Sequence, residues 1–143
     1  MKKNNPKFIY PQTISIANGD IVKFFSRESP GFQGFGEVYF SKIKSNKIKG
    51  WKRHHRVTCN LMVIHGIVRV VAFSDLLNKK TCLDTNFFAD SPTIIQIPPM
   101  NWFAFQGLSD KTSILVNLIE ELHDPNEMEK KDLNFFEYDW STK

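Results

Sequence analysis

The chain has 143 residues, a formal net charge of +4 and a sequence pI of about 9.1. That length is most simply one domain, 1–143, large enough to bury a full core without staples. No apolar run approaches the roughly 18 residues a bilayer crossing needs, and the basic start, Met1-Lys2-Lys3-Asn4-Asn5-Pro6-Lys7, leads into residues too polar for a signal peptide; a cytoplasmic protein without membrane insertion is the expectation.

Taken in chain order, the sequence opens on a polar segment, 1–12. Glu37-Val38-Tyr39-Phe40-Ser41-Lys42-Ile43 alternates and is rich in β-formers. A cationic and imidazole cluster follows, Gly50-Trp51-Lys52-Arg53-His54-His55-Arg56, and runs straight into apolar sequence. Leu61–His65 and Ile67–Phe73 flank a single Gly66, which predicts a tight bend between paired strands. Thr93–Ile97 runs into Pro98-Pro99, which must end or edge a strand. Trp102–Gln106 and Ser113–Ile119 are two further strands, separated by the turn chemistry of Gly107-Leu108-Ser109-Asp110-Lys111. From Asp124 the chain is polar and acidic, with one helical turn expected near Pro125–Lys131. The tail, 132–143, carries Phe135, Phe136, Tyr138 and Trp140, aromatic enough to dock on a surface such as a neighbouring subunit. Short strands at this spacing, with no long helical period, predict an all-β sandwich or barrel. Cys59 and Cys82 lack CxxC spacing, so a thiolate zinc site is not expected and the pair reads as reduced.

If residues 50–56 form a strand, Gly50, Lys52, His54 and Arg56 share one face and Trp51, Arg53 and His55 the other. Two readings are open. One is a solvated strand edge whose charges deter aggregation. The other is a pocket in which a neutral histidine abstracts a proton beside a carbonyl while Lys52 or Arg56 stabilises the enolate and cations bind phosphates. Neighbouring cations would lower the histidine's pKa and keep it neutral. One short basic run is weak support for nucleic-acid binding, so none is expected. His123 ends the last strongly apolar strand, where barrel mouths lie.

Gly36–Ser41, Ile48–His54, Asn60-Leu61, Ile97–Leu108 and His123-Asp124-Pro125-Asn126-Glu127, in that order, resemble the short branch of the dTDP-4-dehydrorhamnose 3,5-epimerase family over roughly residues 36–140. The resemblance implies a cupin fold, an antiparallel jelly-roll β-barrel. It implies a homodimer, and a nucleotide-linked 4-keto-6-deoxy sugar (dTDP or CDP) as substrate in O-antigen, lipopolysaccharide or other surface polysaccharide synthesis. It makes His54 the general base and puts Lys49 at the phosphate-binding position. The position of the family's acid tyrosine falls on Val116, the His-Gly-Phe step reads Phe103-Ala104-Phe105, and the later segment that supplies the aspartate paired to the base has no counterpart in this short C-terminus. The positions of a cupin metal set fall on His54, Arg56, Asn60 and Phe103, a poor set for a divalent ion, so neither a metal nor another cofactor is expected.

The expected activity is thus epimerisation at C3, C5 or both through an enolate. His54, Lys52 and Arg56 carry the chemistry; Lys49 and Arg53 hold the pyrophosphate; Asn60, Trp102 and His123 complete the substrate contacts. The rivals are a 3,4-ketoisomerase, which typically carries a His-x-His pair that this chain lacks, and a non-catalytic cupin that binds a nucleotide sugar.

Overall fold

The computed structural model describes residues 4–74 and 80–141; the first three residues of the polar N-terminal segment and the last two of the aromatic tail lie outside the described residues. The strands are β1 (Lys7–Ile9), β2 (Gln12–Ile14), β3 (Ile21–Lys23), β4 (Glu37–Ile43), β5 (Ile48–His54), β6 (Cys59–His65), β7 (Ile67–Ser74), β8 (Lys80–Phe88), β9 (Ile94–Ile97), β10 (Asn101–Gly107), β11 (Ser113–Ile119) and β12 (Met128–Lys130). One five-stranded sheet runs β1-β9-β6-β11-β4 and a second runs β12-β5-β10-β7-β8, with β2 and β3 paired as a separate ribbon. All pairings are antiparallel. This is the all-β jelly-roll arrangement that the sequence led us to expect.

The period of two decides what enters the interior. Along β4, Tyr39, Ser41 and Ile43 turn inward while Val38, Phe40 and Lys42 are exposed. Phe103 and Phe105 of β10 join Ile43, Leu61, Val63, Val68, Val70 and Leu115 in the core between the sheets. The alternate residues, Trp102 and Ala104, face the outer side of the second sheet, where they pack with Trp51, Val71, Phe73 and Phe136. A strand covered on both faces should read as continuously apolar, and β10 does. On the outer side of the first sheet, Met62, Ile94 and Val116 are covered by Ile9, Val22, Phe24 and Phe25.

Three expectations change. Gly66 does not close a hairpin: β6 and β7 belong to different sheets, and Gly66 (φ +76°) carries the chain from one to the other, with Ser113 Oγ 2.6 Å from where a Cβ would sit. The helical turn is confined to Pro125–Glu127, after which the chain enters β12. The aromatic tail docks on its own chain. The Phe136 ring stacks on Phe73 at 4.6 Å, Trp51 Nε1 donates to the Leu133 carbonyl at 3.0 Å, and Gln106 Nε2 donates to the Trp140 carbonyl at 3.1 Å. Tyr138 donates to Asp84 Oδ2 at 2.6 Å. Cys59 and Cys82 are both free.

Candidate active site

Strand β5 lies inside the second sheet, between β12 and β10. It is not a solvated edge, and its inward side chains must find partners in the barrel. The alternation holds for Lys52 and His54, which lie against the inward Phe103 and Phe105: Lys52 Nζ is 5.2 and 5.6 Å from the two ring centroids, and the His54 ring stacks on Phe103 at 6.2 Å. Strict alternation would send Lys49 to the opposite face. The pairing with β10 instead slips by one residue, Phe103 facing Lys52 but Phe105 facing Lys49. This bulge restores Lys49 to the inner side, a common use of the extra residue beside functional sites. Gly50 permits it, because a Cβ there would come within 2.4 Å of the Ala104 Cβ.

The strand ends at His54, so the alternation does not reach Arg56. Its guanidinium lies on the surface, 56% exposed, and pairs with Glu121 at 2.9 Å and Asp124 at 3.4 Å. Arg53 takes the outer face, donating through Nε to Glu129 at 2.8 Å and stacking 4.7 Å over Trp102. Trp102 in turn packs on Phe135 and Phe136. Asn60 is buried: its side chain donates to the Leu118 carbonyl and accepts from Gln96 Nε2. None of these four residues lines the cavity.

That cavity holds about 450 Å³ and opens between β4 and β5; among its lining residues are Tyr39, Lys49, Lys52, His54, His123 and Lys130. The site therefore gathers Lys49, Lys52, His54 and His123 from the sequence-predicted set and adds Tyr39 and Lys130. Lys49 Nζ donates to Ser41 Oγ at 2.7 Å. Burial lowers the pKa of both Lys49 and Lys52, and neighbouring ammonium groups add to the effect. Clustered cations with no carboxylate ion pair among the described residues are suited to an anion.

His54 is 5% exposed, and its Nδ1 lies 2.6 Å from Glu127 Oε2. The other oxygen of Glu127 accepts from the backbone amides of Arg56 at 2.9 Å and Val57 at 3.0 Å. Burial raises the Glu127 pKa, but the Arg56 amide, the imidazole and the Val57 amide outweigh it and hold the carboxyl below its usual range. For His54, burial favours the neutral ring; Cys59 and Glu127 outweigh it and lift the pKa from 6.5 to about 9. This reverses the expectation that nearby cations keep the ring neutral: Cys59 first and then the Glu127 carboxylate in contact set the direction. His54 Nε2 is buried and has no hydrogen-bond partner among the described residues.

In place of the aspartate expected to be missing from the C-terminus, Glu127 is the carboxylate in contact with His54. Its distance in sequence from His54 hid it, although Asp124-Pro125 is a readable turn start. The Asp124 side chain accepts from the Asn126 amide at 2.9 Å, the turn delivers Glu127, and β12 pairs Met128 with His54. Tyr39, on β4 of the other sheet, lines the same cavity as His54, and its hydroxyl accepts from Asn117 Nδ2 at 2.8 Å. Burial first, then the Cys59 thiol, pushes its pKa up to about 12, against the effect of Asn117. Val116 faces outward; its inward neighbour Asn117 is the direct cross-strand partner of Tyr39. Among the described residues no group of three or more His, Cys, Asp and Glu side chains could hold a metal ion, and no helix is long and apolar enough to cross a membrane.

No family model matches the chain, and no curated protein matches it. Solved structures do. A dTDP sugar isomerase from Desulfovibrio desulfuricans superposes with a TM-score of 0.86 at 24% identity, over 96% of this chain and 92% of that one. The dTDP-6-deoxy-D-glucose-3,5-epimerase RmlC from Legionella pneumophila, in complex with dTDP-4-keto-L-rhamnose, gives 0.75 at 18%, over 87% and 71%. The sugar 3,4-ketoisomerase QdtA from Thermoanaerobacterium thermosaccharolyticum, in complex with TDP, gives 0.77 at 16%, over 93% and 92%. At these identities the likeness shows the fold: the chain is a cupin-type jelly roll of the kind seen in dTDP-sugar epimerases and isomerases.

Proposed function

We propose that the chain is a single-domain isomerase of nucleoside-diphosphate-linked 4-keto-6-deoxyhexoses, acting as an epimerase at C3, C5 or both. The observation that carries this is the buried His54–Glu127 pair opening on a cavity walled by Lys49, Lys52 and Lys130. A ketone acidifies the adjacent C–H bond. His54 Nε2 takes that proton, the bonding electrons move onto the former ketone oxygen, and the Lys52 ammonium stabilises the enolate oxygen. Lys49, Lys130 and His123 receive the diphosphate. Tyr39, on the facing sheet, gives its proton to the opposite side of the carbon, and the phenolate is reprotonated from solvent. Donors on opposite walls support inversion, and their presence argues against a non-catalytic binder. The enolate formed by abstraction at C3, reprotonated by His54 at C4 while the C3 hydroxyl proton passes to the C4 oxygen, would instead leave the carbonyl at C3, a 3,4-ketoisomerisation. We infer a cytoplasmic homodimer serving surface polysaccharide synthesis; neither a metal nor another cofactor has a part in this reading.

The test is incubation with dTDP- and CDP-4-keto-6-deoxyglucose in heavy water, followed by NMR. The wild-type chain should place deuterium at the inverted carbon, and His54→Asn should place none while keeping its fold. A carbonyl moved to C3 would assign the ketoisomerase. Undiminished exchange in His54→Asn would remove the proposed base.

A further inference from the structure

We propose that Asn117 is a positioning residue that turns the Tyr39 phenol into a directed proton donor, and so decides whether the enolate is inverted or merely returned. The inference rests on the functional reading above for its consequence, but its geometry stands alone. The Asn60 backbone amide donates to Asn117 Oδ1 at 3.0 Å. An amide N–H can only donate, so this oxygen is the acceptor and the orientation of the carboxamide is fixed. The nitrogen of Asn117 must then be what faces Tyr39, 2.8 Å away. That nitrogen can only donate as well. The phenol oxygen is therefore an acceptor on this side, and its own hydrogen must point elsewhere. Tyr39 lines the cavity and has no other hydrogen-bond partner among the described residues, so the hydrogen is presented to whatever the cavity holds.

The arrangement is locked from behind. Asn117 is 1% exposed and Asn60 3%. Asn60 anchors its side chain to the Leu118 carbonyl at 3.0 Å, and Gln96 donates to Asn60 Oδ1 at 2.8 Å and to the Pro30 carbonyl at 2.9 Å. A satisfied buried network of this kind holds one geometry and is costly to leave half-made. Asn60, expected to touch substrate, thus acts two steps back, by fixing the amide that fixes the phenol.

The consequence is a split between exchange and inversion. His54 can abstract a proton and return a solvent deuteron to the same face without Tyr39. Only a donor on the other wall inverts the centre. In Asn117→Leu, an isostere without donor or acceptor, deuterium exchange with retention should stay within about threefold of wild type while inversion falls about 10²-fold, the low end for losing a general acid. Tyr39→Phe should match it, and the double variant should be no worse than Tyr39→Phe alone, since the two act as one unit. The direct readout needs no substrate. The tyrosine Fermi doublet in the Raman spectrum, taken as wild type minus Tyr39→Phe, should report a phenol that accepts from Asn117 while its own hydrogen goes to cavity water. A donor-only signature, with the phenol giving its hydrogen to Asn117, would overturn the proposal even if Asn117→Leu fails to fold. Inversion at the wild-type ratio in a folded Asn117→Leu, or additive losses in the double variant, would overturn it too. Absence of any exchange in the wild type would instead refute the functional reading and leave the Raman result to decide the geometry.

Discussion

Replacing Glu127 by Gln probes the pair on which the mechanism depends. The substitution keeps nearly the same shape. Its carbonyl oxygen can still accept from the Arg56 and Val57 amides, which both bond to Oε1. The amide nitrogen then occupies the place of Oε2, 2.6 Å from His54 Nδ1. It donates to Nδ1, so the neutral ring must carry its proton on Nε2, and the nitrogen proposed as the base can no longer accept one. A wrong tautomer of this kind costs about 10⁴-fold in the serine-protease triad, and a loss of about 10³–10⁴-fold in deuterium exchange is expected here. Stability gives a second magnitude. At about 1.4 kcal/mol per pKa unit, the rise of His54 from 6.5 to about 9 amounts to roughly 3 kcal/mol favouring the protonated ring, shared between Cys59 and Glu127. A raised pKa stabilises the fold fully below 6.5 and loses that contribution as pH rises through about 9. Denaturant titrations at pH 6 and pH 9.5 should therefore show the wild type losing more stability than Glu127→Gln across this window, by the Glu127 share of that roughly 3 kcal/mol, the Cys59 share remaining in the variant. In the same window the wild-type exchange rate should climb, because the free enzyme begins the cycle protonated. An unchanged exchange rate in Glu127→Gln, or parallel pH–stability curves, would refute the reasoning.

Three further outcomes follow from the same geometry. Gly50→Ala should lose about 1–3 kcal/mol and weaken substrate binding together, because the new Cβ meets Ala104 at 2.4 Å and pushes the bulge that aims Lys49; normal affinity in a destabilised variant would separate the two effects. Phe136→Ala should cost about 3–5 kcal/mol by chemical denaturation, since this buried ring stacks on Phe73 and meets Trp51 edge-on at 5.0 Å. Lys130→Gln should raise KM and weaken its dependence on salt with little change in kcat, if Lys130 meets the diphosphate and not the reacting carbon.

How far the sequence could be read depended on whether a signal was local. The strands Glu37–Ile43, Ile67–Ser74, Asn101–Gly107 and Ser113–Ile119 announce themselves through alternation or continuous apolar character. Strand β8, Lys-Thr-Cys-Leu-Asp-Thr-Asn-Phe-Phe, does not: it is a sheet edge whose outer residues are polar, and only its pairing with β7 makes it a strand. Lys52 and His54 were legible because β5 is regular there. Arg56 was misplaced because nothing in the cluster marks where the strand stops, and Lys49 reaches the interior through a one-residue slip that no periodicity reveals. Glu127 and Tyr39 come from elements on either side of His54, so only the closed barrel brings them together.

The neighbours Val116 and Asn117 show what residue-by-residue transfer from a distant family passes over on a strand. A one-residue difference in alignment on a strand moves a side chain from one face to the other. At the aligned position the outward Val116 cannot serve; the inward Asn117 next to it can, as the partner that orients a phenol on the neighbouring strand. The carboxylate tells the same story: Glu127 arrives on a turn and an edge strand that also places Lys130 directly opposite Lys52. What has to be retained for enolate chemistry is a base with a fixed tautomer, a donor on the opposite wall and a cationic rim. Each requirement is set by position in the cavity, and any strand that reaches that position can meet it.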